Sequence, residues 1–190
     1  MYKLCKTEQS ARRQRELEYC LLDMMSVRYY DEISVSDLCD HINLPRKSFY
    51  RYFSGKDGAL HALLDHTLME FESYSSGYIS GEKKSYQRDM ERFFTFWRER
   101  QKLLDALQRS NLTGVLFNRC ILYAKTGEGI PARFLPRKDK TLREYWLMFG
   151  VCGMMSLVTT WHHEGFAQSP WEMAQVATQL LTEPLFSEHE

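Results

Sequence analysis

The sequence predicts an all-α protein of about nine helices, and three observations predict it. Apolar residues recur at three- and four-residue steps through one stretch after another. Between Ile33 and Lys56, two short helical stretches with capping residues at their starts flank a tight turn at Asn43. From Tyr145 to Trp161 the chain carries no charge but holds Gly150, Gly153, Ser156, Thr159 and Thr160. That run sits at the lower edge of a membrane span and has no companion, so it reads as a buried helix at a core or subunit interface.

Composition narrows the classes. The chain has 190 residues, no net charge and 14% aromatic residues, which favours large buried side chains or a ligand pocket over disorder. Residues 1–56 hold ten Lys/Arg against eight Asp/Glu, and 44–56 hold Arg46, Lys47, Arg51 and Lys56 with no acid. This local, modest excess suits a small groove reader better than a protein that wraps nucleic acid. Cys5, Cys20, Cys39, Cys120 and Cys152 are scattered and form no Cys-x-x-Cys, which reads as reduced thiols in a cytoplasmic protein. The amino end lacks the apolar core of a secretory signal.

The first helix is expected over Thr7–Tyr30, with Leu17, Leu21, Met24 and Met25 on one stripe. Arg12, Arg13 and Arg15 in its opening are either a solvated face or a phosphate clamp. Ser34 is a good N-cap, and Asp37 three residues on completes a capping box. Val35, Leu38 and Ile42 share a stripe. Asn43 stands where the helix must stop, because Asn tolerates the left-handed backbone. Leu44 then pins the turn, and Pro45 opens the next helix, where its missing N–H costs nothing. Phe49 and Phe53 face inward there, leaving Arg46, Lys47, Ser48, Tyr50 and Arg51 outward. Arg forks onto a guanine edge, Lys and Tyr reach phosphates, and Ser reads either. Two short helices about such a turn are how a protein lays a helix into the major groove. Ser54 and Asp57 read as a second capping box. The helix they start, Lys56–Tyr74, carries Leu60, Leu63, Leu64, Leu68 and Phe71 on one face and Lys56 at its phosphate-favouring end.

The run Val35-x-x-Leu38, then Asn43-Leu44-Pro45-Arg46-Lys47-Ser48-Phe49-Tyr50-Arg51-Tyr52-Phe53, then Lys56 and Leu60, resembles the DNA-binding domain of TetR-family transcriptional regulators over residues 10–70. It departs at Asn43, where the family usually has Gly, and at Pro45 and Lys47, where small or hydroxylated residues are common. The resemblance implies a homodimer that sets two recognition helices into successive major grooves of a pseudo-palindromic operator. It implies DNA contact by Ser34, Ser36, Arg46, Lys47, Ser48, Tyr50, Arg51 and Lys56. It also implies a helix-turn-helix domain over 1–56, a linking helix over 57–74, and an effector-binding and dimerisation domain over 75–190. The implied function is a transcriptional regulator, a repressor released by a small apolar or aromatic ligand. The alternative is an interaction module or coactivator of the same fold acting mainly through a protein partner.

Beyond Tyr74, breaks are expected at Ser75-Ser76-Gly77 and Ser80-Gly81, and helices over Lys84–Glu99, Leu103–Leu107 and Leu116–Tyr123. A polar loop follows at Gly127–Pro131 and Pro136–Asp139. A long helix then runs over Asp139–Glu164, and Ser169-Pro170 starts the last one, which bears Met173, Val176, Leu180 and Leu181. Phe93, Trp97, Phe117, Tyr123, Trp146 and Phe149 are candidate pocket residues, although plain core has the same spacing. Gly150, Gly153, Leu157, Trp161, Val176 and Leu180 are candidate dimer-interface residues, because these helices resemble the end of TetR-like chains. Adjacent His162 and His163 point about 100° apart on a helix, and His61 and His66 miss a common face, so no metal is expected. No catalytic motif occurs, and neither an enzyme nor a cofactor is expected.

Overall fold

The computed structural model describes residues 1–3, 5–76, 85–126 and 140–182. Among them are nine α-helices and no strand: α1 (Glu8–Met25), α2 (Val35–His41), α3 (Arg46–Tyr52), α4 (Lys56–Ser76), α5 (Tyr86–Arg98), α6 (Gln101–Arg109), α7 (Thr113–Lys125), α8 (Lys140–His163) and α9 (Pro170–Thr182). A 3-10 turn at Tyr30–Glu32 and an isolated antiparallel bridge between Tyr2 and Phe53 complete the regular backbone. No described helix is long and apolar enough to cross a membrane. Ser75 and Ser76, where a break is expected, still belong to α4, while Gly77, Ser80-Gly81 and the polar loop lie outside the described residues.

The chain forms two compact units. The first is Met1–Leu68 with Lys102–Arg119, and the second is Met69–Gln101 with Cys120–Glu190. The first unit thus runs past the expected boundary at residue 56 and recovers α6 and the start of α7 from later in the chain.

In the first unit, α2 packs on α1 and α3. Leu17, Leu21 and Met25 of α1 are buried, as are Leu38, Phe49, Phe53, Leu60 and Leu64. The first helix ends at Met25, five residues before the expected Tyr30, where Ser26 caps it and a 3-10 turn takes over. Val35, Ile42 and Leu44 are half-buried, so the scaffold under the turn rests on Leu38, Phe49 and Phe53.

One device ends three helices. Asn43 has φ 50°, its N–H reaches the Asp40 carbonyl at 3.3 Å, and the Leu44 N–H reaches the Cys39 carbonyl at 2.8 Å. That pair of bonds is a Schellman motif, which uses a left-handed residue to satisfy carbonyls the helix leaves open. Asn111 (φ 55°) with Leu112 repeats it after α6, and Gly165 (φ 70°) with Phe166 repeats it after α8.

The second unit is built on rings. Here α5 packs against α9 and α8. Phe94 stands edge-on to Trp161 at 5.6 Å, and Trp161 edge-on to Phe166 at 4.6 Å. The Trp161 Nε1–H donates to the Gln168 carbonyl at 3.1 Å, tying down the turn after α8. Ser169 caps α9, its Oγ accepting from the Glu172 N–H at 3.2 Å while Glu172 Oε2 accepts from the Ser169 N–H at 2.7 Å.

Candidate nucleic-acid interface

The recognition segment is built by its two ends. At the start of α2, Ser34 Oγ accepts from the Asp37 N–H at 3.1 Å and Asp37 Oδ2 accepts from the Ser34 N–H at 2.7 Å. Hydrogen bonding to the carboxylate by Ser34, its hydroxyl first and its backbone N–H second, holds the Asp37 carboxyl below its ordinary range. At the far end, the left-handed Asn43 turns the chain into α3. Pro45 (φ −58°, ψ 133°) is the residue before α3 and not its first helical residue, so Arg46 begins the helix.

Seven residues of α3 then divide cleanly. Phe49 is buried and meets Phe53 at 5.2 Å between ring centroids. Arg46, Lys47, Tyr50 and Arg51 are exposed, and Ser48 is half-exposed. Among the described residues no ion pair or hydrogen bond engages the Arg46, Lys47 or Arg51 side chain. Tyr50 is propped edge-on against Phe49 at 5.5 Å, which aims the phenol outward at little entropic cost. The result is a short helix with three uncompensated cations, a phenol and a hydroxyl.

The other expected contacts divide. Ser34 and Ser36 lie at the start of α2, and the Ser34 oxygen is engaged as a cap. Lys56 turns inward: its Nζ donates to the Tyr30 carbonyl at 2.6 Å and lies 4.1 Å over the Tyr30 ring. The arginines of α1 are internally balanced. Arg12 pairs with Glu8 at 3.5 Å, Arg13 with Glu16 at 2.6 Å and Arg15 with Glu18 at 2.9 Å, which favours the solvated-face reading over the phosphate clamp.

The expected pocket residues fall in both units. Phe117 lies in the first unit, while Phe93, Trp97, Tyr123, Trp146 and Phe149 lie in the second. Phe93 and Trp97 share an aromatic group with Phe71 and Phe96, ring centroids 5.0–6.4 Å apart. Trp97 is 1% exposed, and its Nε1–H is buried without a hydrogen-bond partner among the described residues. Tyr123 donates its hydroxyl to the Glu72 carboxylate. Trp146 is half-buried. Phe149 is corrected: it is 64% exposed and lines no interior.

The expected interface set is corrected at Trp161. That residue is 1% exposed and held between Phe94 and Phe166, so it is core and unavailable to a partner. Gly153, Val176 and Leu180 are exposed, and Gly150 and Leu157 are half-buried. Leu142, Tyr145 and Phe149, three and four residues apart, continue the Gly153 line along α8 as an exposed apolar stripe. The Leu-x-x-Tyr-x-x-x-Phe spacing carried that signal, but periodicity alone does not tell an inward stripe from an outward one.

Among the described residues no group of three His, Cys, Asp or Glu is placed to hold a metal ion.

No family model matches the chain, and neither does any curated protein. Solved structures do. A TetR-family transcriptional regulator from Syntrophomonas wolfei superposes with a TM-score of 0.67 at 17% identity, covering 94% of this chain and 99% of that one. The fatty acid degradation regulator FadR from Bacillus halodurans gives 0.58 at 13%, covering 98% and 100%. FadR from Bacillus subtilis in complex with stearoyl-CoA gives 0.56 at 14%, covering 90% and 99%. At these identities the likeness is one of fold: the chain has the all-α fold of TetR-family regulators.

Proposed function

We propose that this protein is a cytoplasmic DNA-binding transcriptional regulator of the TetR type, a homodimeric repressor whose recognition helix is α3. The observation that carries the reading is the outer face of α3, where Arg46, Lys47 and Arg51 stand exposed, without a partner among the described residues, beside Ser48 and Tyr50. Water serves such cations on a solvated face, but three of them on two turns with a hydroxyl, a phenol and no acid among them present the donors that phosphates and base edges accept from. The same face disfavours an interaction module that works mainly through a protein partner. Lys56 assists by packing α4 against Tyr30, and its remaining donors serve a phosphate.

Self-association fits the exposed apolar stripe of α8 (Leu142, Tyr145, Phe149, Gly153) together with Val176 and Leu180 of α9. A monomer gains little from so much exposed apolar surface along one helix, and a second copy covers it. For the effector, the aromatic group around Trp97 supports an apolar or aromatic ligand. The unpaired Trp97 Nε1–H adds one requirement, a hydrogen-bond acceptor on that ligand. Stearoyl-CoA in the Bacillus subtilis FadR structure supports a long apolar chain as the first class to try.

The test is enrichment of a random-sequence duplex pool by the full chain. The wild type is expected to enrich a two-fold symmetric sequence, with binding that weakens steeply as salt rises. The Arg46→Ala, Lys47→Ala double variant should lose at least about tenfold in affinity for it. Undiminished binding by that variant would remove α3 from the interface.

A further inference from the structure

An extended segment at the amino end lies antiparallel to the residues that follow α3. The Lys3 N–H donates to the Tyr52 carbonyl at 2.9 Å, and the Ser54 N–H donates to the Met1 carbonyl at 3.0 Å. Ser54 Oγ donates to the same Met1 carbonyl at 2.8 Å. The capping box expected of Ser54 and Asp57 is therefore replaced: Ser54 serves this pairing, and Asp57 accepts from the Tyr30 hydroxyl at 2.6 Å. Gly58 of α4 makes room, since a Cβ there would stand 2.5 Å from the Met1 carbonyl oxygen.

The segment is also anchored from beneath. Tyr2 donates its hydroxyl to Asp65 Oδ2 at 2.8 Å, and Arg119 grips the same carboxylate with Nε at 2.6 Å and with Nη2. Asp65 is 7% exposed, so these donors stand in for water around a buried charge. The Tyr2 ring meets His66 edge-on at 5.9 Å.

We propose that Met1–Lys3 is a brace that sets the pose of α3 on DNA, with Tyr2 as its positioning residue, the Tyr52 carbonyl as its point of attachment and the Asp65–Arg119 pair as its anchor. The helix needs such a part. With seven residues it has few internal bonds, and its last carbonyls, Tyr52 among them, have no helical acceptor role left to fill. Bidentate reading of a base edge fails with small displacements of the helix, so a fixed carboxyl end bears on selectivity more than on bulk affinity. The proposal rests on α3 being the recognition helix.

The test uses the full chain, the duplex that the wild type enriches, and a scrambled duplex of equal length and composition. Tyr2→Phe removes only the hydroxyl, Lys3→Pro removes the N–H given to Tyr52, and Gly58→Ala drives a methyl into the Met1 carbonyl. Each is expected to weaken binding to the enriched duplex about three- to tenfold, the size of one hydrogen bond, with the scrambled duplex bound as before. Faster amide exchange at 52–54, with an unchanged circular dichroism spectrum, should accompany it. Enriched-duplex affinity within twofold of wild type in all three variants, while exchange at 52–54 accelerates, overturns the brace. Equal loss on both duplexes together with a lowered melting temperature overturns it too, because the segment is then merely structural. A wild type that enriches no duplex overturns the reading of α3 itself, and the brace with it.

Discussion

The two units solve the packing problem with different chemistry. The first buries charge and bonds it. Glu18 is 0% exposed and lies 2.9 Å from both Arg15 and His66, and Asp65 is held by Arg119 and Tyr2. The second buries rings, from Phe71 through Phe93, Phe96 and Trp97 to Trp161 and Phe166, and leaves one N–H unpaired among them. Directional bonds hold a part in one geometry, which a helix that reads base edges requires. Ring packing is less directional and tolerates rearrangement, which suits a unit that admits a ligand.

The largest expected effects break each unit by its own means. Asp65→Ala strands the Arg119 guanidinium, and denaturant unfolding should show a loss of about 3–5 kcal/mol. Phe94→Ala opens a cavity under Trp161 and should lose about 3–5 kcal/mol as well. Conservative replacements separate the two. Asp65→Asn should keep most of its loss because the charge remains unpaired, while Phe94→Leu should recover much of its own because volume suffices. If Asp65→Asn is harmless, the contrast between the units collapses.

On the α8 stripe, Phe149→Asp should leave folding intact, since the side chain is exposed, yet shift the chain to monomer in light scattering. A dimer that survives this change would move the interface elsewhere.

A smaller effect probes the shared helix stop. Asn43→Gly should be neutral or stabilising, and Asn43→Ala should cost about 1 kcal/mol because Ala resists positive φ. Gly165→Ala in the second unit should cost a similar amount, strained by its φ of 70° although the space around it is open.

The smallest effect is in the caps. Asp37 and Glu172 both have carboxyls held below their ordinary range by bonds from Ser34 and Ser169. Their contribution is present at neutral pH and lost as pH falls through the lowered values, because the unfolded chain takes up protons first. The acid limb of a melting-temperature curve should therefore flatten in the Asp37→Asn, Glu172→Gln double variant.

Local chemistry was legible in the chain alone. A serine with an acid three residues on caps α2 at Ser34 and α9 at Ser169, and an asparagine before a leucine ends α2 and α6, because both devices depend on groups within a few residues. The inward Phe49 and Phe53 and the outward cations of α3 follow from helical spacing for the same reason. The all-α class follows from that spacing repeated along the chain.

The tertiary structure decided what distant residues do to one another. Asp65 and Arg119 meet across 54 positions, and nothing near either one announces the other. Ser54 had two possible partners, the cap to Asp57 and the Met1 carbonyl, and the fold chose the distant one. Periodicity likewise marked Phe149 and Trp161 as members of apolar stripes without saying which faces water and which the core. Backbone geometry is set over one or two turns of chain and can be read there. Burial and ion pairing are set by which surfaces meet, and that is known only once the chain has folded.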